Sequence, residues 1–287
     1  MKGFLLAVIL LLPATAFSQG VMPTVLAERD RAEVVDRWLE ERFETVIPML
    51  MNREEVDVWV VVSREYNEDP VIKTMLPATW MAARRRTILI FRRTPDGSFD
   101  RSAVSRYAVG SSFPSSWVPE EEPDQWKRAT EIIAEFDPQA IAVNMSNTFG
   151  LADGITRTEY DNLVRALPEG LKDRVVSGEN LAVGWLETRT PGEMAVYPMI
   201  VRIAHEIIAE GFSEAVVQPG VTSSEDVEWW YRDRIRSLGL DTWFHPSVDV
   251  QRADDPERDG EFSSREDAQV ILPGDLLHVD FGIKYLR

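Results

Sequence analysis

The sequence predicts an α/β fold, and three observations predict it. Amphipathic helical stretches alternate with short apolar runs through residues 29–180. The run Val56-Asp57-Val58-Trp59-Val60-Val61-Val62 is almost continuously apolar, as a strand covered on both faces should be. Asp96-Gly97 sits between two further strand candidates, where a hairpin turn belongs.

Each element has its own signal. Val34, Val35, Trp38, Leu39, Phe43, Ile47 and Leu50 recur at three- and four-residue spacing, so Arg29 to Met51 is read as a helix. Strands are expected at Thr87 to Phe91 and Ser98 to Val109. Gly110 to Pro123 is rich in Ser, Pro and Glu and reads as a loop. Asp124 to Phe136 has one apolar face (Trp126, Ala129, Ile132, Ile133, Phe136), and Asp137-Pro138 stops that helix. A short strand at Ala140 to Val143 and a helix at Thr156 to Leu167 follow. A second unit is expected from about Trp185. It holds a long helix within Pro191 to Val216, broken by Gln218-Pro219-Gly220. A capping box Thr222-Ser223-Ser224-Glu225 then opens a helix from about Glu225 to Leu238, with Gly239 as its C-cap. Strands are expected at Trp243 to Val250 and Leu276 to Phe281, separated by an Asp-rich loop, Gln251 to Ser264.

Composition narrows the function classes. The chain of 287 residues carries a net charge of −17, which repels nucleic acid and anionic lipid. It has no Cys, which excludes disulfides, a thiol nucleophile and thiolate metal sites. Any metal would be held by carboxylates and imidazoles, a donor set for harder divalent ions. Residues 1–18 read as a signal peptide, with a basic start, an apolar run from Phe4 to Leu12 and cleavage after Ala16 or Ser18. A soluble mature chain without a transmembrane segment, exported across the inner membrane to the periplasm, is expected.

One ordered set of motifs goes further. Glu187-Thr188-Arg189-Thr190-Pro191-Gly192-Glu193-Met194, Gln218-Pro219-Gly220-Val221-Thr222, Pro246-Ser247-Val248 and Gly274-Asp275-Leu276-Leu277-His278-Val279-Asp280-Phe281-Gly282 follow one another at characteristic spacing. The set resembles the Xaa-Pro aminopeptidase, prolidase and creatinase family. The resemblance implies a creatinase-like N-terminal α/β domain at residues 19–184. It implies the first part of an α+β pita-bread catalytic domain at 185–287. It also implies a metal-dependent exopeptidase acting on peptides next to proline, with a pair of Mn²⁺, Co²⁺ or Zn²⁺ ions. Asp280 matches the family's first metal ligand. The second Asp, the His and both Glu of the family set would fall after Arg287. The chain is therefore expected to be a C-terminally shortened form that holds no stable metal pair, carries no catalytic residue of its own and is inactive alone.

The three histidines carry different expectations. His278 lies two residues before Asp280, on the same strand face, but the family is usually apolar there, so a supporting role is expected. His245 is the candidate substrate-binding residue, against a reading as a packing residue. His205 is expected to be structural. The family's substrate-site His falls at Ser263 here, which puts proline specificity in doubt. Two other readings stay open: a non-catalytic peptide-binding member of the same fold, and a structural subunit that forms a homodimer.

Overall fold

The computed structural model describes residues 22–252 and 268–286. The expected signal segment, most of the Asp-rich loop with Ser263, and Arg287 lie outside the described residues. Among the described residues two compact units form, one from residues 26–198 with 284–286 and one from 22–25 with 199–283. The sequence placed the start of the second unit earlier, near Trp185.

In the first unit, α1 (Glu28–Arg53) leads into β1 (Val58–Arg64), α2 (Pro70–Met75), β2 (Arg86–Arg93) and β3 (Phe99–Val104). Then come α3 (Gln125–Ala134), β4 (Ile141–Val143), α4 (Arg157–Ala166), α5 (Glu169–Lys172), β5 (Val175–Ser177), α6 (Glu179–Glu187) and α7 (Pro191–Met194). The five strands make one mixed sheet in the order β3-β2-β1-β4-β5. Strands β1, β2 and β3 pair antiparallel; β4 runs parallel to both β1 and β5. The apolar run at 56–62 is a central strand, as its composition requires. Its alternate residues serve different faces. Val58, Val60 and Val62 join Ile88, Ile90, Trp126, Ile133 and Leu163 in one core. Trp59 points the other way and stacks on Phe91 at 5.4 Å. Phe43 of α1 continues that layer and stacks on Trp185 of α6 at 5.4 Å.

Strand β3 ends at Val104, short of the expected Val109. The side-chain amide of Gln125 donates to the carbonyls of Val104 and Arg86, and the Ser105 hydroxyl donates to Tyr107. These bonds divert the chain into a loop.

The motif from Thr188 to Glu193 fastens α7 to α1. Thr190 Oγ1 accepts from the Glu193 amide, and the Glu193 carboxylate accepts from the Thr190 amide at 2.7 Å. This reciprocal cap satisfies two N–H groups that a helix start leaves open. Glu193 also pairs at 3.0 Å with Arg42, a buried side chain. Arg42 donates further to the carbonyls of Trp185 and Thr188. Burial pushes its pKa down, and Glu193 opposes that shift. A buried guanidinium is costly unless paired and hydrogen-bonded, and here it is both.

The long helix expected within Pro191 to Val216 is α8 (Tyr197–Gly211), set off from α7 by a break. Pro198 has no N–H to give the carbonyl four residues back, and its ring crowds that carbonyl, so the break falls just before it. Helix α9 (Ser224–Ser237) opens one residue before the expected Glu225, and its cap is not the expected Thr222. Its reciprocal cap is Ser223 with Asp226, because Thr222 Oγ1 is already engaged, accepting from the Gln218 amide at 2.9 Å. Of the strand expected at Trp243 to Val250 only the part after Pro246 forms, as β7 (Ser247–Gln251); a two-residue strand, β6 (Asp241–Thr242), precedes the expected range. Strand β8 (Leu276–Asp280) pairs antiparallel with β7. Val248 and Val250 of β7 are buried, as are Val227, Tyr231 and Ile235 of α9. Tyr231 stacks on Phe281 at 5.3 Å, and Gly211 lies so close to the ring that a Cβ there would meet it at 2.5 Å. Burial pushes the Tyr231 phenol up.

Candidate functional site

The candidate site is built on the β7–β8 ribbon. Antiparallel pairing sets Asp280 opposite Ser247, His278 opposite Asp249 and Leu276 opposite Gln251. With a two-residue repeat, these six side chains share one face. It is the outer face: β8 alternates exposed and half-buried positions, with Leu276, His278 and Asp280 exposed. The spacing argument for His278 and Asp280 therefore holds, and both face outward.

The register adds Asp249, which the sequence reading passed over. Its Oδ2 lies 3.6 Å from His278 Nδ1, an ion pair when the imidazole is protonated. Both side chains are half exposed, so the pair is weak. The alternation Ser247, Asp249, Gln251 was visible in the sequence. The one-to-one register was not, and only the register sets Asp249 against His278.

His245 is held by α9. Arg232 donates to its Nδ1 at 3.0 Å, which leaves the ring proton on Nε2, 3.6 Å from Glu228 Oε2. Trp229 meets the ring edge-on at 5.0 Å. Glu228 also accepts from the Val248 amide at 2.9 Å, so the same carboxylate anchors the start of β7. An imidazole with Nδ1 occupied and Nε2 facing a carboxylate keeps a fixed tautomer. Glu228, Trp229 and Arg232 recur at the three- and four-residue spacing of one helix face, a signal readable from the sequence. His205, by contrast, lies on an exposed position of α8, so its expected packing role gives way to solvent.

Asp275 closes the turn before β8. Arg252 meets both its oxygens at 2.9 and 3.0 Å, and the Leu272 amide donates to it at 2.7 Å. The Arg252 hydrogen bond leads the effects that hold its carboxyl below the usual range. This acid shapes a turn and is committed to it.

The metal pair that the sequence resemblance implies needs several converging carboxylates and imidazoles. Among the described residues no three His, Asp or Glu side chains gather as a metal site. Asp280, His278 and Asp249 lie along a ribbon and do not converge. These residues do not fit a two-ion centre, and Asp280 offers a single carboxylate. No helix among the described residues is long and apolar enough to cross a membrane.

No protein-family model and no curated protein sequence matches this chain. A solved structure does: the Xaa-Pro dipeptidase from Bacillus anthracis aligns with a TM-score of 0.52 at 14% sequence identity. The alignment covers 91% of this chain and 62% of that one, so this chain spans less than two thirds of the dipeptidase's length. At that identity the likeness shows the fold alone. The chain has a mixed α/β architecture similar to that of a pita-bread Xaa-Pro dipeptidase.

Proposed function

We propose that the protein to which these residues belong is an exported, metal-dependent exopeptidase that cleaves peptides next to proline, and that Asp280 supplies its first metal ligand. The observation that carries this reading is the position of Asp280. It is the last residue of β8, just before Phe281-Gly282, in a chain whose fold is similar to that of a Xaa-Pro dipeptidase. In such an enzyme Asp280 would hold a divalent ion, and the chemistry that ion would supply is Lewis-acid assistance to hydrolysis. On this reading the described residues contribute one carboxylate, Asp280, to such a centre. A lone carboxylate holds Mg²⁺ or Mn²⁺ loosely, with most of the ion's waters retained. The 287-residue chain by itself is therefore inactive.

The test is amino-acid release from Xaa-Pro dipeptides with Mn²⁺, Co²⁺ or Zn²⁺. The protein at its full natural length should hydrolyse them and lose most activity in Asp280→Asn. The 287-residue chain should release nothing. Hydrolysis by the 287-residue chain that Asp280→Asn abolishes would refute its inactivity; full-length activity that survives Asp280→Asn would refute the ligand assignment.

The lack of a converging donor set among the described residues favours one alternative, a member of the fold that binds peptide without cleaving it. Metal-independent binding of a proline-containing peptide, with no turnover at full natural length, would establish that reading instead.

A further inference from the structure

We propose that the first unit carries a second site, separate from the ribbon, that binds a small organic anion with a planar or aromatic body. A cavity of about 740 Å³ opens where β1 ends, β2 begins and β3 ends. That volume is in the range of small-molecule pockets. Arg64, Arg84, Arg85, Arg86 and Arg106 line it, in a protein whose net charge is −17. The opposing carboxylates are fewer. Buried Glu159 is shared by two of the arginines, 3.4 Å from Arg64 and 2.8 Å from Arg86 Nε. The second contact is close but off the hydrogen-bond axis, since both atoms lack a hydrogen bond with each other or with any other group described. Glu120 pairs with Arg106 at 2.9 Å, with both side chains exposed. Glu65 spends its carboxylate on the Arg85 backbone amide at 3.1 Å. No ion pair forms at the Arg84 or Arg85 side chain among the described residues, and both residues are exposed.

The mouth is built as well as charged. Tyr66 and Arg85 both line it, and both hold positive φ, 70° and 54°. They are two of five non-glycine residues in that region of backbone space among those described. Such strain persists only where surrounding structure imposes it, and it gathers at functional positions. Here Glu65 and Arg85 impose it: the Glu65 amide donates to the Arg85 carbonyl at 2.6 Å, while Glu65's carboxylate takes the Arg85 amide. Arg84 lies over the Trp80 ring at 4.3 Å, and both residues line the cavity. A guanidinium edge matches the two oxygens of a carboxylate or phosphate. Trp80, Trp117, Tyr66 and Tyr107 supply flat apolar surface for the rest of the ligand.

Carboxylate and phosphate share this chemistry, so two probes separate them: 1,3,5-benzenetricarboxylate and inorganic pyrophosphate. Binding to the full chain is followed by calorimetry and by tryptophan fluorescence at low ionic strength. We expect one saturable site. Arg84→Gln should weaken it about tenfold, the worth of one or two charge-assisted hydrogen bonds. Arg157→Gln, which removes the same charge from an exposed pair elsewhere, should leave it unchanged. Arg85→Gln should repeat the loss, and circular dichroism confirms that each variant folds. Tighter binding of the tricarboxylate supports a carboxylate ligand, and tighter pyrophosphate a phosphate one. The proposal is overturned by absence of saturable binding, by equal binding to the uncharged benzenetricarboxamide, or by equal losses in Arg84→Gln and Arg157→Gln. It is also overturned if sedimentation shows the arginines holding a second copy of this acidic chain instead.

Discussion

In residues 26–198 both faces of a five-stranded sheet are covered, and Trp59, Val60, Val61 and Phe91 are essentially inaccessible. In residues 199–283 a two-stranded ribbon buries Val248 and Val250 against α9 and leaves its other face open. Trp243 there is 76% exposed and Leu276 64% exposed. Two strands alone are marginal in water, whereas three or more with a covered apolar face are independently stable. The motifs that resemble a peptidase lie mostly on the thinner unit, and the redundantly bonded core lies in the other. Chemistry read from the ribbon thus rests on the less buried framework.

Substitutions in the first unit should carry the largest effects. Trp59→Ala removes a fully buried indole that stacks on Phe91 and donates through Nε1 to Asn144 at 2.8 Å. The expected loss is about 3–5 kcal/mol, from the cavity and the orphaned acceptor. Urea denaturation followed by far-UV circular dichroism measures it. A loss below about 1 kcal/mol would mean the first unit is not the tightly packed one.

Gly154→Ala comes next. A Cβ on Gly154 would lie 1.9 Å from Asp69 Oδ2. That carboxylate cannot step aside cheaply. Its Oδ1 accepts from the Val71 and Ile72 amides at the start of α2, and its Oδ2 accepts from Asn144 Nδ2 at 2.9 Å. Trp59 in turn fixes which way the Asn144 amide points. The expected cost is about 1–3 kcal/mol, typical of overpacking. A neutral result would show that the Asp69 network yields.

The same network sets a pH response. Burial raises the Asp69 pKa, and the bonds from Asn144, Ile72 and Val71 only partly offset it. The folded state therefore binds this proton more tightly than the unfolded chain does. Asp69 contributes most favourably below its unfolded pKa of about 4, and that advantage is lost as pH rises through the folded value. Relative to Asp69→Asn, the wild type should lose ground as pH climbs from about 4 upward. Denaturation midpoints of the two proteins across that window check the sign. A wild type that instead gains over the variant would reverse it, and would mean the hydrogen bonds outweigh burial.

Much of the first unit was legible because its signals are local and agree with one another. The period of α1, the apolar run of β1 and the Asp96-Gly97 turn each specify one element. Helix α2 also had a signal, Asp69 as N-cap with Pro70 at the first position, but six residues are too few for a helical period to show. Strand β5 is three residues long and half exposed or more, so no pattern marks it. In the second unit, Asp280 and His278 were correctly put on one face, because alternation along a strand is local. Asp249 was missed because its place beside His278 depends on register between strands far apart in sequence. The arginine-lined cavity was missed for the same reason. Arg84-Arg85-Arg86 is an ordinary basic run until Arg64 and Arg106 arrive beside it through the sheet.

The smallest effect belongs to the ribbon. Asp280 is exposed at the end of β8, opposite Ser247. Asp280→Asn keeps the side chain's shape and removes one solvated charge, so stability should shift by no more than about 0.5 kcal/mol. Added Mn²⁺ tests the same point from the other side. A ligand that binds only the folded chain raises its stability in proportion to RT ln(1 + [L]/Kd). One exposed carboxylate gives too weak a Kd for millimolar Mn²⁺ to move the urea midpoint of the 287-residue chain. The Mn²⁺ response of wild type and Asp280→Asn should therefore coincide. A Mn²⁺-dependent rise in midpoint that Asp280→Asn removes would show Asp280 acting with further donors, and the bare outer face of the ribbon would then be a metal site after all.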